Sequence, residues 1–157
     1  MVYRTALIQP DYASGVRTVF AFPSGEIAAT ITLLDQHFPQ QRHPWVMNDA
    51  LYIEIVDERR GFLYSDWEPE AVAALVAVTG ERPGWGLQID ISGRIDGTDA
   101  VHQLIHLLIE HGGVAFDDYT DHAWTLPEIQ SGASVDGLRF FDFRAHYQRH
   151  YGSGTTN

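Results

Sequence analysis

Four residues in the second half of the chain have the chemistry of metal ligands: His102, His106, Asp118 and His122. His102 and His106 stand one helical stride apart, so a helix through them sets both imidazoles on one face. A crossover after that helix could bring Asp118 and His122 near them, which would suit a small metal-dependent hydrolase. The spacing falls short of a motif, because no glutamate follows His102 as His-Glu-x-x-His requires. On a helical wheel the pair lies beside the apolar stripe, toward solvent, where boundary histidines are ordinary. Asp117, Asp118 and Asp121 offer carboxylates for acid and base work, yet adjacent residues on an extended segment point to opposite sides and do not share a proton. Ser14, Ser24 and Ser92 precede or approach glycine, but none lies in Gly-x-Ser-x-Gly. Gly80, Gly84 and Gly86 lack the dinucleotide spacing, and the chain has no lysine for a phosphate loop. The chemistry-bearing residues therefore favour a protein that is not an enzyme and needs no cofactor, with the hydrolase as the alternative.

Charge points to binding. Twenty-one acidic residues face ten basic ones, giving a net charge of −11. Between Arg94 and Arg139 there is no further arginine, while eight residues are acidic. Such a chain is a poor match for nucleic acid or an anionic membrane, and its acidity is compatible with a basic partner. An acidic balance kept for solubility alone would look the same. Trp45, Trp67, Trp85, Trp124 and Tyr119 stand in or beside polar, acidic segments, as interface anchors do. Each could equally cap a core or serve a homo-oligomer interface. There are no cysteines, so disulfides and thiolate sites are excluded. No apolar run has the length of a membrane span, and the first residues are too interrupted for a secretory signal. The expected compartment is the cytoplasm.

The elements that would position these residues follow from periodicity. At 157 residues the chain fits one domain, expected over 1–151 with a flexible tail at 152–157. Leu87, Ile89 and Ile91 alternate as a half-buried strand. Asp96 or Thr98 can cap a helix bearing Val101, Leu104, Ile105 and Leu108, which Gly112 and Gly113 close. Val114 and Phe116 begin a second strand that exits into 117–122. Earlier, Tyr3 to Gln9 and Val16 to Phe22 suggest an opening hairpin. Residues 24–38, with Ser24 as a cap, fit a helix through Ile27, Ile31, Leu34 and Phe38, although Ala29, Ile31 and Leu33 also alternate as a strand would. Gln40 to Asn48 resembles a surface loop. Leu51, Ile53 and Ile55 form a strand, paired as a hairpin with 62–64. Asp66 to Pro69 opens a helix with Val72, Leu75 and Val76 on its apolar face, ended at Gly80. Thr125 and Glu128 have capping-box spacing. Asp136-Gly137 is a turn, Leu138 to Phe143 a last strand or docked segment, and Ala145 to Tyr151 a short helix. The class is α+β: a mixed sheet of hairpins plus one strand-helix-strand crossover, helices mainly on one face.

The runs Gly84 to Arg94 (GWGLQIDISGR), Gly112 to Thr120 (GGVAFDDYT) and Ala123-Trp124-Thr125 resemble bacterial immunity proteins of polymorphic toxin systems, nearest to the family called immunity protein 51. The likeness covers about the last half of the chain, with glycine at 84 where the pattern leads one to expect proline. The resemblance implies a small cytoplasmic α+β protein that binds a cognate toxin domain, often a nuclease, and blocks it without catalysis. On that reading Asp117, Asp118, Tyr119, Asp121, His122, Trp124 and Trp67 would contact the toxin, whose phosphate-shaped basic surface an acidic inhibitor complements.

Overall fold

The structure, a computed structural model, describes residues 16–39, 44–60 and 63–152. Its centre is β1 (Arg17–Pro23), an apolar run with six of seven residues buried. A strand buried on both faces must sit inside a sheet, and β1 does, between β4 (Trp85–Ile91) and β5 (Gly113–Phe116). The strand order is β2-β3-β4-β1-β5, with β2 spanning Trp45–Met47 and β3 Leu51–Asp57. Every pairing is antiparallel. The sheet is thus not mixed: β4 and β5 run parallel, as their crossover demands, but β1 lies between them. The single α+β domain is as expected. The first run of the expected opening hairpin, Tyr3 to Gln9, lies outside the described residues, as do 153–157 of the expected tail.

Two assignments change around β2. The expected loop contains a strand, because Trp45 is 1% exposed and its indole N–H donates to the Asp35 carboxylate at 2.9 Å. Asn48 and Asp49 follow, both at φ 55°, the left-handed pair that closes a tight hairpin. The hairpin partner of β3 is therefore β2, and its other neighbour is β4, whereas Leu63 and Tyr64 lie in a turn.

Alternation along β1 sorts the core into two layers. Val19 and Ala21 face one side with Ile53, Leu87, Ile89 and Ile91. That side is covered by α1 (Ile27–His37), α3 (Thr98–Ile109) and α4 (Leu126–Ser131), through Leu34, Val101, Leu104, Ile105, Leu108 and Ile129. Phe20 and Phe22 face the other side with Val114 and Phe116, where α2 (Pro69–Thr79) covers them through Ala71 and Leu75. The buried stripe of α2 is thus Ala71 with Leu75 rather than Val72 and Val76, which are half-buried. Residues 27–37 are helix and not strand. Glu26 takes the cap position without a side-chain bond, while the Ser24 hydroxyl donates to the carbonyl of His111 at 3.3 Å. At α3, Asp96 accepts the Thr98 N–H at 2.9 Å and Gly97, at φ 78°, is the cap. Among the described residues no helix is long and apolar enough to cross a membrane.

The chain end is a docked segment, finishing in α5 (Phe143–Tyr147) and a single wide turn, Gln148–Gly152. Its anchor is Arg17, 2% exposed. The guanidinium donates to the carbonyls of Asp96 at 2.5 Å, Ser92 at 2.9 Å and Ile95, and lies 4.4 Å from the Phe143 ring centroid. Asp96 also receives Arg144 at 2.6 Å. Bonding to Thr98, together with Arg144 and against partial burial, holds the Asp96 carboxyl down to about 2. One loop, residues 92–97, thereby ties β1, α3 and the chain end together.

Candidate functional site

Of the residues expected to meet a partner, several build the fold instead. Asp117 is 6% exposed. One carboxylate oxygen accepts the N–H groups of Tyr119 at 3.1 Å and Thr120 at 3.3 Å, and the other accepts that of Phe141 at 2.7 Å. Phe141 stands at φ 58°, a conformation costly for a bulky residue, and this bond helps to hold it there. Burial pushes the Asp117 carboxyl up to about 6 despite its three donors. Trp124 is fully buried and exchanges two 2.8 Å backbone bonds with Ala115, which occupies the outer edge of β5. Tyr119 is half-buried among the rings of His146, Phe141 and Tyr147. His122 meets both carboxylate oxygens of Glu128, at 3.0 and 3.1 Å, and stands edge-on to Trp124. Asp117 and Trp124 are therefore corrected from contact residues to internal ones, while Asp118 and Asp121 are exposed.

Glu128 completes the capping box with Thr125 that opens α4. Burial would raise its carboxyl, but the bonds from Thr125 and His122 lower it on balance. Thr125→Val is expected to cost about 1 kcal/mol of stability, the usual worth of such a cap, read from the urea midpoint. No change in that midpoint would mean that the bridge to Ala115 alone holds this corner.

Trp67 does what the sequence could not show. Its ring lies 5.2 Å from Phe20, 5.6 Å from Phe22, 5.3 Å from Tyr64 and 4.9 Å from Phe116. Phe116 is two residues from Asp118, and Ala123, in the same cluster, is two residues from Asp121. The start of α2, with exposed Asp66, Glu68 and Glu70, is thereby held against the β5 exit with exposed Asp118 and Asp121. From there α2 runs about 16 Å with Ala73, Ala77 and Val78 outward. Val78 is 51% exposed. Exposed Glu81 follows, beside a cavity of about 460 Å³ lined by Phe22, Ser24, Val78, Glu81, Pro83 and Trp85 among others. Ala73 and Ala77, one helical stride apart, form a short apolar ridge behind the first carboxylates, whereas Val78 ends the face of Ala71 and Leu75. Sequence reading misses the joining of 66–70 to 118–121, because no periodicity links Trp67 to Phe116.

Among the described residues, five arginines are engaged with other partners. Arg17 is internal, Arg144 is on Asp96, Arg139 lies 3.7 Å from Asp142, and Arg149 donates to the Asp136 carbonyl at 2.8 Å. Arg82, near the ridge, is paired with Glu58. The candidate metal-binding histidines do not converge: His102 packs on Phe140, His106 meets Gln130 at 3.1 Å, and His122 is on Glu128. Among the described residues no group of three or more histidine or acidic side chains could hold a metal ion. Compared with known proteins, the chain matches no family model, no curated protein and no solved structure.

Proposed function

We propose that this chain is an immunity protein: it binds a cognate bacterial toxin domain in the cytoplasm of the producing cell and neutralises it by occupying a basic surface, without catalysis. The sequence likeness of residues 84–94, 112–120 and 123–125 suggests the class. The observation that carries the reading is Trp67, which locks two acidic segments, 66–70 and 118–121, onto one surface with no arginine in either. A nuclease domain is a fitting target, because a surface shaped for phosphate is basic. The contact set becomes Asp118, Asp121 and the rim of Trp67, joined by Glu68, Glu70 and the outward face of α2.

The direct test is to read the gene upstream of this one and, where it encodes a large secreted protein with a C-terminal toxin domain, to co-express that domain with this chain. Growth rescue and a complex in size-exclusion chromatography are expected, and the absence of both would end the proposal. Glu68→Lys with Asp121→Lys should lower the association rate roughly tenfold at low salt, with little change at high salt, where the field is screened. An equal loss at both salt concentrations would point to broken contacts rather than to steering.

A further inference from the structure

The chain end carries two histidines that meet each other. His146 on α5 and His150 in the wide turn after it stand one helical stride apart, with ring centroids 4.3 Å apart. The Nδ1–H of His150 donates to the carbonyl of His146 at 2.9 Å. The His146 ring also packs on Tyr119, at 4.9 Å between centroids, and on Tyr147 at 5.4 Å. Its Nδ1 atom is buried, and among the described residues nothing bonds to it. An imidazolium carries a proton on both ring nitrogens, so a charged His146 would hold one at Nδ1 with no acceptor.

The charges near this ring favour its neutral form. Arg149 and His150 follow it in the chain and Arg144 precedes it, while Arg17 of β1 acts on Tyr119. The carboxylates within reach are committed. Asp96 receives Arg144, Asp142 receives Arg139, and Asp117 accepts three backbone N–H groups. Asp118 acts on Tyr119. Burial first, then His150 and Arg149, hold the His146 imidazole below its ordinary 6.5.

The chain end is thus gripped in two places that answer acid oppositely. At Phe141 the grip is Asp117, whose folded value, about 6, stands above the ordinary 3.8, so its contribution grows as pH falls. At His146 the sign is reversed. The docked imidazole binds a proton less readily than a released one, so docking loses strength as pH falls through 6.5.

We infer that residues 146–150 are an acid-sensitive latch: they close on Tyr119 while His146 is neutral and detach when it is protonated, with Phe141 and Phe143 seated in both states. Detachment uncovers the Tyr119 ring beside exposed Asp118. The latch belongs to the fold and stands whether or not the inhibitory function does. Amide hydrogen exchange of the full chain at pH 7.5 and 5.5, corrected for intrinsic rates, tests it. Protection of residues 146–152 should fall roughly threefold or more at the lower pH, while that of β4 does not fall. His146→Phe keeps a ring on Tyr119 and removes the proton, so its chain end should stay protected at both values. Unchanged protection in the wild type, a loss shared by β4, or the same acid loss in a folded His146→Phe variant each overturns the latch. Nuclear magnetic resonance of the wild-type chain gives a test that needs no variant. The His146 ring should titrate below 6.5 with the Tyr119 ring signals moving in step, and a midpoint at or above 6.5 overturns the inference.

Discussion

Asp117→Ala will destabilise the fold by about 3 kcal/mol, because it strips the acceptor from three backbone N–H groups, one of them, on Phe141, in a buried bond. The urea midpoint should fall with an unchanged slope, and protease should cut first between Ala133 and Arg144, the segment that Asp117 holds down. A midpoint within error of wild type would show that ring packing alone seats this segment. The same residue sets a pH dependence whose sign is unusual for a carboxylate that accepts three hydrogen bonds. Its folded pKa, about 6, lies above the unfolded value of 3.8. The folded chain therefore binds more protons than the unfolded chain between these values. Asp117 makes the fold more stable as pH falls from 7 through 6 to about 4, by an amount on the order of 3 kcal/mol, with no further gain below. Asp117→Asn should remove this contribution, and identical pH slopes for the two proteins would refute the assignment.

Trp124→Ala will cost about 4 kcal/mol, the upper part of the range for emptying a fully buried aromatic site. Among the described residues nothing accepts the buried indole N–H of Trp124, so Trp124→Phe keeps most of the packing and abandons no described bond. Its cost should stay below about 1.5 kcal/mol. Asp121→Ala, three residues away and exposed, should shift stability by less than about 0.5 kcal/mol. Thermal and urea unfolding of the three variants separate the parts that Trp124 and Asp121 play. A Trp124→Ala protein of wild-type stability that had lost the toxin would return Trp124 to the interface.

The sequence distinguished these two residues poorly, for a physical reason. Periodicity reports which face of an element is buried, and it finds α3 and β4 because the apolar positions that repeat along them, Val101, Leu104, Ile105 and Leu108 with Leu87, Ile89 and Ile91, all enter one layer. The segment 117–124 has no period, so its burial depends on what the chain end does twenty residues later. Asp117 reads as one of three similar aspartates until Phe141 arrives to donate to it. Trp45 was placed in a loop because β2 has only three residues, too few to alternate, and its burial depends on Asp35 in α1. The strand order was likewise hidden, since nothing local says that β1 separates β4 from β5. For the candidate surface, the charge and the aromatics were readable from composition, but the joining of residues 66–70 to 118–121 required Trp67 to be seen against Phe116.

The central position of β1 has a consequence for how the chain reaches this state. β1 precedes both of its neighbours, pairing with residues 87–91 on one side and 113–116 on the other. During synthesis it emerges long before either, with apolar side chains on both faces and two unpaired edges. Pairing so distant in sequence slows folding, and a waiting strand of this kind is the part of a nascent chain most exposed to wrong association. Chaperone demand and inclusion-body formation on strong expression should therefore track residues 17–23 more closely than any other strand, and a circular permutant that starts after β1 and appends it at the end should refold faster.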